Sequence, residues 1–219
     1  MIVELVGLPG AGKSTIASSL LQSINNINTK VIFFQDERRN NSHRKSKLSL
    51  FLLLNLLALI KLVLHIMKTM KLNELRLNFP RLKKLIILLF DLSEMNKKYS
   101  KDVVLMDQGI IQMLASFPTF QGGNNTERVI PIYESIKYEF KLNDCFLVLM
   151  QTNLQTAVDR MQARSKHQCD FKSLAPEELK KIYHSYLSVF AEFDFDLTIN
   201  SNNVLATNVV VLREWINDL

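Results

Sequence analysis

The sequence predicts an α/β fold: a five-stranded parallel sheet with helices on both faces and a helical insertion. Two observations predict it. Short apolar runs alternate with stretches whose apolar residues recur at helical spacing, the pattern of a parallel sheet covered by helices. Between the first run and the first helical stretch stands Gly7-Leu8-Pro9-Gly10-Ala11-Gly12-Lys13-Ser14, with Thr15 next. This is G-x-x-x-x-G-K-[ST] without a mismatch, a phosphate-binding loop placed between strand and helix as its mechanism requires.

The elements follow in order. Ile2-Val3-Glu4-Leu5-Val6 reads as a buried strand, and Ile16, Ala17, Leu20, Leu21 and Ile24 then mark a helix. Lys30 to Phe34 is a second strand, ending in Gln35-Asp36-Glu37-Arg38-Arg39. A polar stretch, Asn40 to Ser46, precedes a Leu-rich run from Leu48 to Met70. Pro80 is expected to break this run from a further helix over Leu82 to Met95. Val103 to Met106 is a third strand, closed by Asp107, and helical pattern continues to about Phe117. Pro118 to Asn125 reads as a loop, and 127–140 as a helix. Cys145 to Met150 is a fourth strand, followed by a helix over 154–164, a polar stretch over 165–173 and a helix over 176–190. Phe195 to Ile199 is a short fifth strand before a closing helix at about 205–217. Residues 1–39 and 101–219 therefore read as a core with a lid at about 160–173, and 40–100 as an inserted, basic, helical region.

The loop dictates a chemistry. Gly7, Gly10 and Gly12 admit torsions closed to other residues and let backbone approach a phosphate. Successive N–H groups then face one concavity at the positive end of a helix. Gly7, Pro9, Gly10, Ala11, Gly12, Lys13, Ser14 and Thr15 form the expected nucleotide-binding set. Lys13 is expected at the β- and γ-phosphates and the Ser14 hydroxyl at Mg²⁺. Asp107 ends an apolar strand, the place from which an acid holds Mg²⁺ in such proteins; a strand-capping turn is the alternative.

Arg160 and Arg164 are four residues apart and share a helix face. Two guanidiniums there can stabilise charge on a transferring phosphoryl group, and Lys166 and His167 continue into a stretch able to close over ATP. A solvated charged face is the alternative. Asp36 or Glu37 is the candidate base or acceptor ligand: a hydroxyl acceptor needs a nearby carboxylate, whereas a phosphate acceptor needs none. Beside Arg38 and Arg39, Glu37 can equally belong to a surface ion-pair cluster.

The chain has 219 residues, the length of one domain, or of one with a sizeable insertion. No secretory pattern precedes the first strand, Cys145 and Cys169 lack metal-ligand spacing, and an intracellular, cytoplasmic protein is expected. Residues 38–101 hold 15 of the 27 Lys and Arg but only Glu74, Asp91 and Glu94 as acids; that segment carries +12 and the remainder −6. Such asymmetry points the segment at something anionic. Its Leu-rich run carries one charge over 48–67, Lys61, with Asn55 and His65. A buried helix of a substrate region is the first reading. An interfacial membrane helix flanked by Arg38, Arg39, Arg44, Lys45 and Lys47 is the second, and a homodimer interface the third.

Four places carry a resemblance over nearly the whole chain except 40–100: Gly7 to Thr15, Asp36-Glu37-Arg38, Met106-Asp107-Gln108, and Arg160-Met161-Gln162-Ala163-Arg164. Together they resemble the thymidylate kinase, deoxynucleoside kinase and nucleoside monophosphate kinase group. The resemblance implies a P-loop NTPase fold in three layers and phosphoryl transfer from ATP with Mg²⁺. It implies an acidic or Arg substrate element at Asp36-Glu37-Arg38 and the start of a lid at Arg160. Gln108 stands where the group has Arg.

Other classes fit less well. A GTPase would need Asn-Lys-x-Asp and Asp-x-x-Gly, but Tyr99 and Ile110 stand at the decisive positions. A nucleic-acid ATPase would need aromatics among the basic residues, and the insertion is leucine-rich instead. The expected function is a small-molecule kinase acting on a nucleoside, nucleotide or similar metabolite. The alternative is a non-catalytic or slow-hydrolysing nucleotide-binding switch or interaction module acting through the basic insertion.

Overall fold

The structure is a computed structural model that describes residues 1–23, 30–39, 44–68, 75–117, 120, 126–142, 144–163 and 174–219. Five strands form one sheet: β1 (Ile2–Val6), β2 (Val31–Phe33), β3 (Val103–Met106), β4 (Cys145–Gln151) and β5 (Leu197–Asn200). Their order is β2-β3-β1-β4-β5 and every pairing is parallel. The carboxyl ends of β1, β3 and β4 therefore open on one edge, where ligands of such sheets bind.

Alternation along β1 assigns the layers. Val3 and Leu5 face α1 (Lys13–Gln22) and α10 (Leu205–Asp218), in a core with Ile16, Leu20 and Leu212. Ile2 and Val6 face the opposite layer, which holds α6 (Ile110–Ala115), α7 (Val129–Glu139), α8 (Leu154–Ala163) and α9 (Pro176–Phe190). Both faces are covered, so the strands can be apolar throughout.

Between β2 and β3 run α2 (Phe34–Arg39), α3 (Arg44–Leu54), α4 (Leu56–Lys68) and α5 (Leu75–Lys98). Phe51 holds α3 on the core by an edge contact with Phe90 of α5 and a stack on Phe140. Three sequence expectations change here. The second strand stops at Phe33 because β3 offers it partners only from Val103 to Leu105; Phe34 is buried, but as the first residue of α2. Pro80 lies inside α5 instead of ending it. It falls close to the helix start, where the missing N–H forfeits one backbone bond of a 24-residue helix. The Leu-rich run is no single buried helix: Asn55 divides it, and the two halves meet at 74°.

The fifth strand starts two residues later than expected. The Asp196 carboxylate accepts the Leu147 N–H at 2.7 Å, while its own N–H donates to the Leu147 carbonyl at 2.9 Å. That side chain takes the place of a ladder partner, and regular pairing begins at Leu197 with Val148.

Candidate functional site

The loop between β1 and α1 turns through two left-handed residues, Gly10 at φ 93° and Gly12 at φ 86°. A side chain at either position would be strained. At Gly10 it would also meet the Ala157 carbonyl of α8 at 2.6 Å, and at Gly7 the Met150 carbonyl at 2.7 Å. Gly7 is thus required by the close approach of β4. Gly12 caps α1 without a side-chain hydrogen bond, so the first-turn N–H groups of Lys13, Ser14 and Thr15 face the loop's concavity. This is the donor arrangement that suits a phosphate.

Lys13 is buried and its Nζ donates to the carbonyls of Gly7, at 2.7 Å, and Leu8, at 3.0 Å. Its ammonium is therefore folded back over the loop that the motif assigns to phosphate. The Ser14 hydroxyl donates to Oδ2 of Asp107, which joins residues 93 positions apart. Oδ1 of Asp107 accepts from the Gln35 amide at 2.6 Å. One carboxylate and one hydroxyl beside a phosphate cradle suit Mg²⁺, which completes its shell with phosphate oxygens and water. Among the described residues, no three His, Cys, Asp or Glu gather into a denser metal site.

Arg160 reaches from α8 across the loop, donating to the Gly10 carbonyl and the Ser201 carbonyl, both at 3.4 Å. Ser201 in turn meets Thr152. The turn after β5, which includes Asn200 to Asn203, thus borders the loop. Asp36 lies on α2 and is exposed; Gln35, one position earlier, is the residue that touches Asp107. The Glu37 side chain and Arg164, Lys166, His167 and Cys169 lie outside the described residues. So does most of the expected lid.

Two features escaped the sequence reading. The first is a cavity of about 340 Å³ beside Gly7 and Leu8, walled by Met150, Phe190 and Phe193. Its walls suit an apolar or planar group better than a phosphate. The second is Glu4, fully buried in the centre of the sheet. Its Oε1 accepts the N–H groups of Ile111, at 2.8 Å, and Gln112, at 3.4 Å, so a β1 side chain caps α6. Its other oxygen, Oε2, is buried and has no hydrogen-bond partner among the described residues. An acid within an apolar strand was the available signal.

Burial pushes the Glu4 carboxyl up from 4.5 to about 7, against the lowering pull of the α6 N–H groups and Lys13. Burial and nearby Glu4 likewise push the Cys145 thiol up to about 12. Between pH 4.5 and about 7 the folded chain keeps a proton on Glu4 that the unfolded chain has released. Stability from this group is therefore largest below that window and falls as pH rises through it, by roughly 3 kcal/mol in all. Glu4→Gln is expected to remove this slope and to unfold at higher urea than wild type above pH 7. An unchanged slope in urea titrations across the window would show that other groups set it.

This arrangement defines a class, a P-loop α/β protein. Comparison with solved structures places the chain more closely. It is similar to deoxyadenosine kinase from M. mycoides with bound dATP, at 12% identity and a TM-score of 0.52 over 99% of this chain and 100% of that one. The same enzyme with dCMP and dCDP aligns at 14% identity and a TM-score of 0.50, covering 100% of both chains. Shikimate kinase from Bacteroides thetaiotaomicron aligns at 15% identity and a TM-score of 0.52, covering 99% of this chain and 98% of that one. Comparisons with protein families and with curated proteins find no match. The chain thus has the fold of P-loop kinases, which it shares with deoxyadenosine kinase and shikimate kinase alike.

Proposed function

We propose that this chain is an ATP- and Mg²⁺-dependent kinase of a small molecule: a nucleoside, a nucleotide or a similar metabolite. The observation that carries the reading is the contact of Ser14 with Asp107 beside the glycine-rich loop. A hydroxyl from α1 and a carboxylate from β3 converge where the β- and γ-phosphates would lie. Mg²⁺ held there would neutralise charge on those phosphates.

The chain's own residues take defined parts. Loop N–H groups hold the phosphates and align the nucleotide. Lys13 exchanges the Gly7 and Leu8 carbonyls for phosphate oxygens. Arg160, already over Gly10, stabilises charge on the transferring group, and Arg164 is proposed to assist it. Gln35 orients Asp107. Asp36 or Glu37 addresses the acceptor, as the proton acceptor where that group is a hydroxyl.

Arg160→Ala is expected to lower kcat by about a hundredfold or more, because it removes a charge matched to the transition state. Nucleotide affinity should change far less. Its side-chain bonds are long and part-exposed, so stability should stay within about 0.5 kcal/mol of wild type. Equal losses in affinity and rate would assign Arg160 to ground-state binding instead.

The deciding experiment is ADP release from ATP and Mg²⁺ with pooled nucleosides, nucleoside monophosphates and hydroxyl-bearing metabolites. Stimulation by one pool, lost in Lys13→Ala, supports the kinase, and dividing the pool names the acceptor. Tight ATP binding with no stimulating pool supports the nucleotide switch. That second reading draws on the Gln35 amide, since an amide and not a second carboxylate stands against Asp107.

A further inference from the structure

Helices α3 and α4 spend only one stripe on the core. Phe51, Ala58, Leu59, Leu62 and Ile66 are buried. The opposite stripe is uncovered and apolar: Leu53, Leu54 and Leu57 are 71%, 72% and 76% exposed around the Asn55 break. Leu50 extends it along α3, and Ile60 and Leu64 along α4. Scattered exposed leucines are ordinary, but a contiguous stripe of this kind marks an interaction surface.

Charge identifies the kind of partner. From Arg38 to Asn73 the sequence holds eight Lys and Arg and no Asp or Glu. Lys47, Lys61 and Lys68 lie on the two helices and are exposed. Lys61 pairs with Glu139 at 2.7 Å and Lys47 with Glu94 at 3.6 Å, both acids belonging to other elements. Both lysines are exposed and their acids half-buried, and ion pairs with an exposed cation are weak.

We propose that the bent pair α3–α4 docks this protein on an anionic lipid bilayer, its leucines entering the interface and its lysines meeting the headgroups. Leucine opposite a lysine-rich flank is the composition of helices that lie in the plane of a membrane. Apolar burial and attraction to anionic headgroups act together there, each cation near the surface adding to binding. The pair does not cross the bilayer. Among the described residues no single helix is long and apolar enough, and the bent pair has one stripe committed to the protein core.

A second copy of the chain fits the face less well. A two-fold interface sets a patch against itself, so this one would oppose cations with cations and offer no acid between residues 38 and 73. The inference is independent of the kinase reading, since none of these residues lies at the loop.

The test is sedimentation of the full chain with vesicles of phosphatidylcholine alone or with added phosphatidylserine. Wild type is expected to sediment with the phosphatidylserine vesicles, weakly with phosphatidylcholine alone, and less as salt is raised. The double substitution Leu53→Ser with Leu57→Ser should cut partitioning roughly tenfold or more. Both positions are solvent-facing, so the melting midpoint and nucleotide binding should stay at wild-type values. Absence of sedimentation with either vesicle, or equal sedimentation with both, overturns the proposal. So does a wild-type dimer in solution that the double substitution dissociates, since a second copy then occupies the face.

Discussion

Replacing Lys13 with alanine is expected to lower ATP turnover about a thousandfold or more while leaving the protein folded. The size follows from position. Lys13 is the cation whose Nζ rests on the loop's own carbonyls, at 2.7 and 3.0 Å, in a buried setting. There an ammonium is worth far more to a phosphate than it would be in water. Removing it also removes a buried charge together with its two acceptors' partner, so the stability terms oppose one another. Steady-state ADP release measures the rate, and thermal melting checks the fold. Turnover within tenfold of wild type would sink the mechanism proposed for this site.

Gly109→Ala should have the largest effect on stability, at roughly 3 kcal/mol or more. A Cβ there would collide with the Glu4 carboxyl carbon and lie 2.5 Å from its Oε1. Glu4 is fully buried and can yield only by giving up the N–H groups of Ile111 and Gln112. For a domain of this size the melting midpoint should fall by roughly 10 °C. The turn that moves also carries Asp107, so the proposed Mg²⁺-dependent turnover should fall with it. The double substitution with Glu4→Ala makes room for the methyl group. It should recover part of the loss, a coupling readable in a double-mutant cycle. A single variant that melts like wild type would show that the strand and helix slide apart freely.

The legible part of this protein was local. Gly7 to Thr15 announced a tight strand-to-helix loop because loop torsions, a helix start and a lysine are all set within nine consecutive residues. Asp107 was legible because an acid after four apolar residues marks the end of a strand. The same local logic placed the five strands and most helix bounds. It failed where neighbours distant in sequence decide the outcome. Phe34 reads as strand, since burial looks alike in either conformation, yet β3 leaves it no partner. Asp196 displaced the start of β5 by bonding a strand 49 residues away. Gln35 gained its contact across 72 residues, and Glu4 capped α6 across 107.

The sequence by itself determined that this chain carries the glycine-rich G-x-x-x-x-G-K-[ST] pattern in a parallel α/β sheet, because spacing within one turn or one strand is enough to specify both. It determined equally that residues 38–101 are strongly basic. Only the tertiary structure decided which partners Asp107 and Glu4 meet, and which stripe of the Leu-rich helices is spent on the core. Apolar residues counted along a chain do not reveal how much protein surface exists to cover them. In the folded molecule Phe51, Leu59 and Leu62 are covered, and Leu53, Leu54 and Leu57 are left facing outward.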